Sequence, residues 1–148
     1  MDFYLPVKST IDKIVVDIAR SLGIGFLELD DTVSTDNALS SPDDYVVYRF
    51  VGMDEEPRDP LWLVAFEVGA KTTTDPANYD LAQIMSAIKE VIATGKAFTV
   101  YDYSGVAQPT TPAGDLYIVD ARVDPQMFDG VAGIRMLSVQ ARAANYAS

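Results

Sequence analysis

The pattern of apolar positions along this chain predicts a strand–helix–strand unit at its centre. Leu61–Gly69 (LWLVAFEVG) is the most apolar run in the sequence, and its length and composition are typical of a strand. From Asp75 to Gly95 apolar residues recur at three- and four-residue steps, which predicts an amphipathic helix with Asp75 as its capping acid. Ala97–Tyr103 (AFTVYDY) predicts the next strand. The other segments are predicted to form layers around this core.

A second helix is predicted near the N-terminus, over Ser9–Leu22. Its apolar residues also recur at three- and four-residue steps, which places them on one face. Ser9 or Thr10 is the predicted cap, and Gly23 is the predicted stop. The preceding FYLP is predicted to be an extended lead-in.

Further strands are predicted where β-branched, aromatic and alternating residues concentrate. The first long one, Tyr45–Val51, is expected to pair antiparallel with the apolar run that follows, through a protruding acidic loop at 52–60. In the segment Leu116–Val123 the alternation places Tyr117, Val119, Ala121 and Val123 on one side. Polar or turn-rich stretches at 30–42, 104–114 and 124–133 are predicted loops. The remaining predicted strands are Phe26–Leu29 and Ile134–Ala143.

This order of elements predicts an α+β fold in one domain spanning residues 1–148. The economical arrangement is a mainly antiparallel sheet, with mixed pairing left open, and two main helices packed on one face. The longest uninterrupted apolar run, Leu61–Phe66, is too short to span a membrane, and charges interrupt the N-terminal apolar residues. We therefore expect neither a membrane partner nor a signal peptide.

The chain has no histidine and no cysteine, which narrows the available chemistry. The commonest general base and the usual soft metal ligands are both absent, so catalysis would rest on Asp, Glu, Lys or Tyr. Asp102 and Asp120 could form a carboxylate pair, but their spacing does not require it. The acidic clusters Asp30–Asp31 and Asp54–Glu56 lack the alternating ligands of a calcium loop. We predict no catalytic, cofactor-binding or metal site and expect a protein that is not an enzyme.

The net charge is −11, and residues 28–59 hold ten acids against two arginines. A field of this sign repels phosphate backbones and makes ordinary nucleic-acid binding unfavourable. Within this acidic segment Arg58 is flanked by prolines, and arginine is enriched at protein interfaces. Asp54, Glu55, Glu56 and Arg58 are therefore the predicted interface residues.

The succession of these segments resembles a known family. A capped first helix, a long acidic loop, the strand WLVAFEV, the helix DPANYDLAQIMSAIKEVI and the strand FTVYDYS together look like the tail terminator proteins of tailed bacteriophages. The likeness rests on size, element order and character, and it includes no motif from which a functional residue carries over.

The resemblance implies a homo-oligomeric ring, usually of six copies, that caps the tail tube and contacts the head–tail connector or neck proteins. Contact with a sheath stays open. It also implies a channel that DNA crosses without specific binding, and location in the tail or neck of a virion assembled in the host cytoplasm. Three alternatives remain: another head–tail joining or tail-completion protein, a monomeric α+β domain that binds a small molecule or peptide, and a carboxylate-dependent hydrolase.

Overall fold

The computed structural model describes residues 3–28, 44–55, 61–72, 79–102, 111–123, 127–129 and 132–146 of the chain. These residues form two helices and one mixed sheet, which confirms the predicted α+β fold. In chain order the elements are α1 (Tyr4–Leu22), β1 (Gly25–Glu28), β2 (Tyr45–Glu55), β3 (Leu61–Thr72), α2 (Tyr79–Val91), β4 (Ala97–Tyr101), β5 (Pro112–Val123), β6 (Met127–Asp129) and β7 (Ala132–Asn145).

Helix α1 begins earlier in the chain than the sequence predicts. Its first residue is Tyr4, and Phe3 precedes it without a side-chain cap. Pro6 lies in the first turn, where an absent N–H removes no helical hydrogen bond. Thr10 lies inside the helix, and its hydroxyl donates a 2.8 Å hydrogen bond to the carbonyl oxygen of Pro6. The predicted extended lead-in and the predicted cap at Ser9 or Thr10 were therefore wrong.

The end of α1 is where the sequence places it. Gly23 adopts a left-handed conformation with φ of 70°, and its N–H donates to the carbonyl oxygen of Arg20. Glycine reaches this conformation without steric cost, which explains the stop. Neither helix in the described part of the chain combines the length and the apolar character needed to cross a membrane.

The sheet has the strand order β1-β2-β3-β7-β5-β4, and β6 also pairs with β7. Strands β1 and β2 are parallel, and every other pair is antiparallel, so the prediction of a mainly antiparallel sheet is confirmed. Because β3 already lines one side of β7, β6 lies on its other side, beyond the end of β5. β7 is thus the central strand.

The core lies between the two helices and one face of the sheet. On β3 the buried Val64, Phe66 and Val68 point toward the helices, with Trp62 packed beside them, as the alternation predicts. The face of β7 that begins at Leu137 joins the same core. A second, smaller cluster on the opposite side of the sheet contains Leu27, Val47, Ile134 and Met136.

Helix α2 packs against β3 and β7 through the predicted apolar face. Gly95, the predicted stop, follows it with φ of 89°. The predicted capping residue Asp75 lies outside the described residues, as does the predicted loop at 30–42. The buried residues of α2 are Leu81, Ile84, Met85 and Ile88.

Two β-bulges change what the alternation alone predicts. In β2 the pairing skips Val51, because Phe50 pairs with Phe66 and Gly52 with Ala65. The extra residue lets Met53 turn back to the core, so the strand continues to Glu55 instead of ending at Val51. The predicted loop at 52–60 therefore begins too early.

The second bulge corrects the predicted face of β5. Pairing with β7 shifts between Ile118 and Asp120, which leaves Val119 as the extra residue. Leu116 and Ile118 are buried, whereas Tyr117 and Val119 are exposed. Beyond the bulge the phase is inverted, and Ala121 and Val123 pack on the core. The four residues predicted to share one side thus divide between the two faces.

The predicted loop at 124–133 also contains more regular structure than expected. Residues 127–129 form β6, and β7 begins at Ala132. Short strands of this kind escape a periodicity test because three residues show no repeat.

Candidate functional site

One side of the sheet carries no helix in the part of the chain that the structure describes. Both helices pack on the other side, where they share a single core cluster with the strands. Residues paired across neighbouring strands point to the same side of a sheet, so the register shows which residues lie on this surface. We call this surface the open face. The open face includes Arg49 and Asp54 on β2, Leu63, Ala65 and Glu67 on β3, Ser138, Gln140 and Arg142 on β7, and Asp115, Tyr117, Asp120 and Arg122 on β5.

Large apolar side chains are exposed on the open face. Leu63, Tyr117, Val119 and Val51 are between 43% and 56% exposed. Two of them, Val51 and Val119, are the bulge residues. A bulge turns its extra side chain out of the regular alternation, which explains why two valines in core strands face outward. Exposed apolar area of this kind on one surface is typical of an interaction site.

A groove of about 430 Å³ lies on the open face. Gly52 and Ala65 are cross-strand partners, and their small size leaves the hollow. Val51, Leu63 and Gln140 stand around it. The groove opens beside Leu63.

A larger hollow of about 530 Å³ lies at α2, on the helix side. Its apolar lining includes Leu81 and Met85, which are almost wholly buried in the core. Lys89, Glu90 and Arg135 supply charges of both signs around it. Because charged side chains surround it, this hollow differs from the groove on the open face, which Val51 and Leu63 border.

Four open-face residues stand in one row across four strands. The register pairs Asp54 with Leu63, Leu63 with Arg142, and Arg142 with Tyr117. We call these residues the Leu63 row. An acid and a base therefore flank the leucine, each one strand spacing of about 4.8 Å away.

The charges on the open face fall into two groups. Arg49 contacts Glu67 at 3.7 Å, and Arg122 contacts Asp120 at 4.0 Å. Asp54 and Arg142 are exposed, and within the described residues neither has an opposite charge at ion-pair distance. Asp115 accepts hydrogen bonds from Tyr117 and Tyr146. Among the described open-face residues of this set, the charges with neither an ion pair nor a hydrogen bond are thus the two that flank Leu63.

Beyond Tyr117 the open face continues into a small hydrogen-bonded group. The hydroxyl of Tyr146 donates to Asp115 Oδ1 at 2.7 Å, and the hydroxyl of Tyr117 donates to Asp115 Oδ2 at 3.4 Å. The hydrogen bond to Asp115 raises the pKa of the Tyr146 phenol above its ordinary value. This group fixes the position of Tyr117 at the end of the Leu63 row.

A second polar group lies where α1 meets β1 and β2. Lys8 Nζ lies 3.0 Å from Asp12 Oδ2 and 3.4 Å from Glu28 Oε1. Burial disfavours the charged form of Lys8, but the hydrogen bond and charge of Asp12, with the charge of Glu28, outweigh it and raise the lysine pKa. Lys8 is therefore held as a cation and joins the helix to the first strand.

Tyr48 lies beneath this group and is completely buried. Among the described residues, neither its hydroxyl nor Asp12 Oδ1 has a hydrogen-bond partner at hydrogen-bond geometry, although Asp12 lies close enough to the hydroxyl to act on its pKa. Burial, followed by the nearby charge of Asp12, raises the pKa of Tyr48 far above its ordinary value. A buried phenol that no substrate can reach is unsuited to proton transfer, so this group is structural.

The structure describes two of the four predicted interface residues. Asp54 and Glu55 are the last two residues of β2. Asp54 is exposed on the open face, and Glu55 is paired with Trp62 of β3. Glu56 and Arg58 lie outside the described residues. Asp54 and Glu55 thus belong to a strand, not to the protruding loop predicted from the sequence.

The two carboxylates considered as a catalytic pair are also apart. The N–H of Asp102 bonds to Thr111 at the start of β5, and Asp120 lies near the other end of that strand. Eight to nine residues of strand separate them by roughly 25 Å. In the described residues no group of three or more Asp and Glu side chains could hold a metal ion.

Sequence reasoning missed Leu63 and Arg142 as surface residues of interest. The alternation of β3 already placed Leu63, Ala65 and Glu67 away from the core. A leucine on the polar side of a strand is the signal that could have identified it. Its position beside Arg142 is invisible in the sequence, because the two residues are 79 positions apart and meet only through strand pairing.

Comparison with known proteins does not assign the chain to a family. No protein-family model matches the chain, and a search of curated proteins finds no significant match.

Proposed function

We propose that this chain is a structural subunit of a tailed-phage virion, a tail terminator or neck protein that acts without catalysis. Copies of it form a ring of six that caps the tail tube and joins it to the head connector. The observation that carries the proposal is the open face, on which exposed apolar side chains lie next to unpaired charges. A subunit that works by contact needs such a surface.

The acidic balance fits the passage of DNA. A net charge of −11 gives the assembled ring a negative field, which keeps the phosphate backbone from adhering to the channel wall. Asp54 and Glu55 at the end of β2, with Glu56 and Arg58 beyond them, are the proposed docking residues toward the tail tube or the connector. The resemblance in element order supplies the identity of those partners.

The test is the mass and shape of the purified full-length protein. Native mass spectrometry and negative-stain electron microscopy should show closed rings with a central opening, either alone or after addition of tail tubes. A fluorescent DNA duplex should not bind at physiological salt. A protein that stays monomeric with tail tubes, or that binds a small molecule or peptide instead, would contradict the proposal and favour a ligand-binding domain. Rings that leave tail tubes uncapped would favour another head–tail joining protein.

A further inference from the structure

We infer that the open face is a contact between two copies of this chain, related by a two-fold axis near Leu63. This contact goes beyond the proposed function. An isologous contact closes at two copies and cannot by itself build a ring. It therefore neither requires the ring nor replaces it. A copy engaged in this contact does not have Asp54 available for the tail tube or connector, so docking then rests on Glu55, Glu56 and Arg58.

The Leu63 row is complementary to itself. Asp54 and Arg142 stand on opposite sides of Leu63, about 10 Å apart across two strand spacings. A second copy can be placed face to face by a two-fold rotation about an axis that runs parallel to the strands and passes Leu63. Its Arg142 then lies against the first copy's Asp54, and the reverse pair forms at the same time. Two charges without partners in one copy thus find partners in the other.

The twist of the sheets does not prevent these pairs. Sheets that pack face to face cross at about 30° and lie about 10 Å apart. Each charge is only about 5 Å from the axis, so the rotation displaces it by about 3 Å. The flexible stem of Arg142 covers that distance.

The leucine lies on the axis of this arrangement. Leu63 of one copy therefore packs against Leu63 of the other, and the groove over Gly52 and Ala65 lies beside this contact in each copy. Both leucines leave water together, and the charge pairs flank them.

The other exposed residues of the open face are compatible with a second copy of the chain as the partner. Arg49 is paired with Glu67, and Arg122 with Asp120, within one copy. These charges therefore need no counter-ion from the partner. Tyr117 extends the contact at the end of the row, held by its hydrogen bond to Asp115. A strongly basic or acidic partner would leave one of the two flanking charges without a counter-ion, which favours a second copy over either.

The experiment measures the mass of the full-length protein in solution by sedimentation equilibrium and native mass spectrometry. Wild type should form dimers at micromolar concentration, or assemblies built from pairs. Leu63→Asp buries a charge at the centre of the contact and should weaken it by roughly 100-fold or more, which halves the mass of the assembly. Leu5→Asp, at an exposed leucine in the first turn of α1, is the matched control and should leave the mass unchanged.

A charge exchange tests the pairing itself. Asp54→Arg alone and Arg142→Asp alone each create two like-charge contacts and should weaken self-association by roughly 10- to 100-fold. When these two variants are mixed, both contacts become attractive, so a heterodimer of one copy of each should form. Circular dichroism of every variant confirms that the fold is kept.

The outcomes separate this inference from the proposed ring. A monomeric wild type, equal masses for wild type and Leu63→Asp, or no heterodimer in the mixture would overturn the two-fold contact. Rings of the same mass in wild type and Leu63→Asp would reject the open-face contact and leave the ring proposal intact. Dimers that depend on Leu63, with no ring formed, would support the open-face contact and reject the ring proposal.

Discussion

The backbone N–H of Tyr101 donates a 3.4 Å hydrogen bond to Thr10 Oγ1, which joins β4 to α1 across 91 residues of sequence. β4 is an edge strand of the sheet. Edge strands expose backbone groups that can pair with other chains, and covering them with a helix is one way to prevent this. The first helix therefore protects one edge at the point where Thr10 meets it.

Replacing Thr10 by valine should lower the free energy of unfolding by about 1 kcal/mol. The isosteric side chain keeps the packing of a residue that is only 5% exposed, but it removes the acceptor of the Tyr101 N–H. Urea denaturation gives the stability, and hydrogen exchange at the Tyr101 amide should become faster. Thr10→Ser keeps the hydroxyl and should keep the slow exchange. Equal exchange rates in the valine and serine variants would show that this bond protects nothing.

Alkaline pH should destabilise the protein through Tyr48. Burial, with the nearby charge of Asp12, raises its pKa in the folded state above the ordinary value of 10.0. Above that pH the unfolded chain loses the phenolic proton and the folded protein keeps it, so stability falls as pH rises. The slope is at most about 1.4 kcal/mol per pH unit. Urea unfolding at a series of pH values from neutral upward measures it.

Tyr48→Phe serves as the matched comparison. It should lose this contribution to the alkaline slope, because phenylalanine has no proton to release. At neutral pH the variant should be as stable as wild type or up to about 1 kcal/mol more stable, since it removes a buried hydroxyl that has no hydrogen-bond partner among the described residues. Parallel pH profiles for the two proteins would contradict the assignment.

Gly69→Ala should destabilise the fold by about 3 kcal/mol or more. A methyl group there would overlap the carbonyl oxygen of Arg135 and the backbone of Met136 on β7, neither of which can move without disturbing the central pairing. Gly52→Ala is the control, because nothing lies within 4 Å of a methyl group at that position. Thermal unfolding of both variants checks the difference. Similar melting temperatures would mean that β3 and β7 are not packed as closely as described.

The inner face of α2 should prove far more sensitive than its outer face. Ile88 is completely buried in the core, and Ile88→Ala should cost about 2–5 kcal/mol through lost burial and a cavity. Val91, in the last position of the helix, is 37% exposed, and Val91→Ala should stay within about 0.5 kcal/mol of wild type. Chemical denaturation of the two variants measures both. Equal costs would place α2 in a different rotation about its axis.

Long periodic elements could be predicted from the sequence. The alternation in β3 and the three- and four-residue steps of α2 each repeat often enough to identify the element and its inner face. Gly23 marked the end of α1 because its backbone preference acts locally. The start of α1 was misplaced, because threonine is also typical of a helix cap and proline of a segment before a helix. In the structure Pro6 lies in the first turn, and the Thr10 hydroxyl bonds back to the Pro6 carbonyl.

The side of the sheet to which a side chain points was predicted poorly wherever a bulge interrupts a strand. Val51 and Val119 each add one residue to their strand, and one residue inverts the phase of everything that follows. A bulge depends on the register with the neighbouring strand, so it leaves no signature in the strand that contains it. The same dependence hid the Leu63 row, whose members come from four strands.

The sequence alone determined the α+β class, the approximate extent of the long strands and helices, and the acidic balance of the chain. These properties follow from local spacing and composition, which every segment carries with it. Tertiary structure decided which residues meet on the open face, why Val51 turns outward, and that Asp54 and Arg142 flank Leu63. Those relationships arise from pairing between strands distant in the chain, and only the assembled sheet brings these residues together.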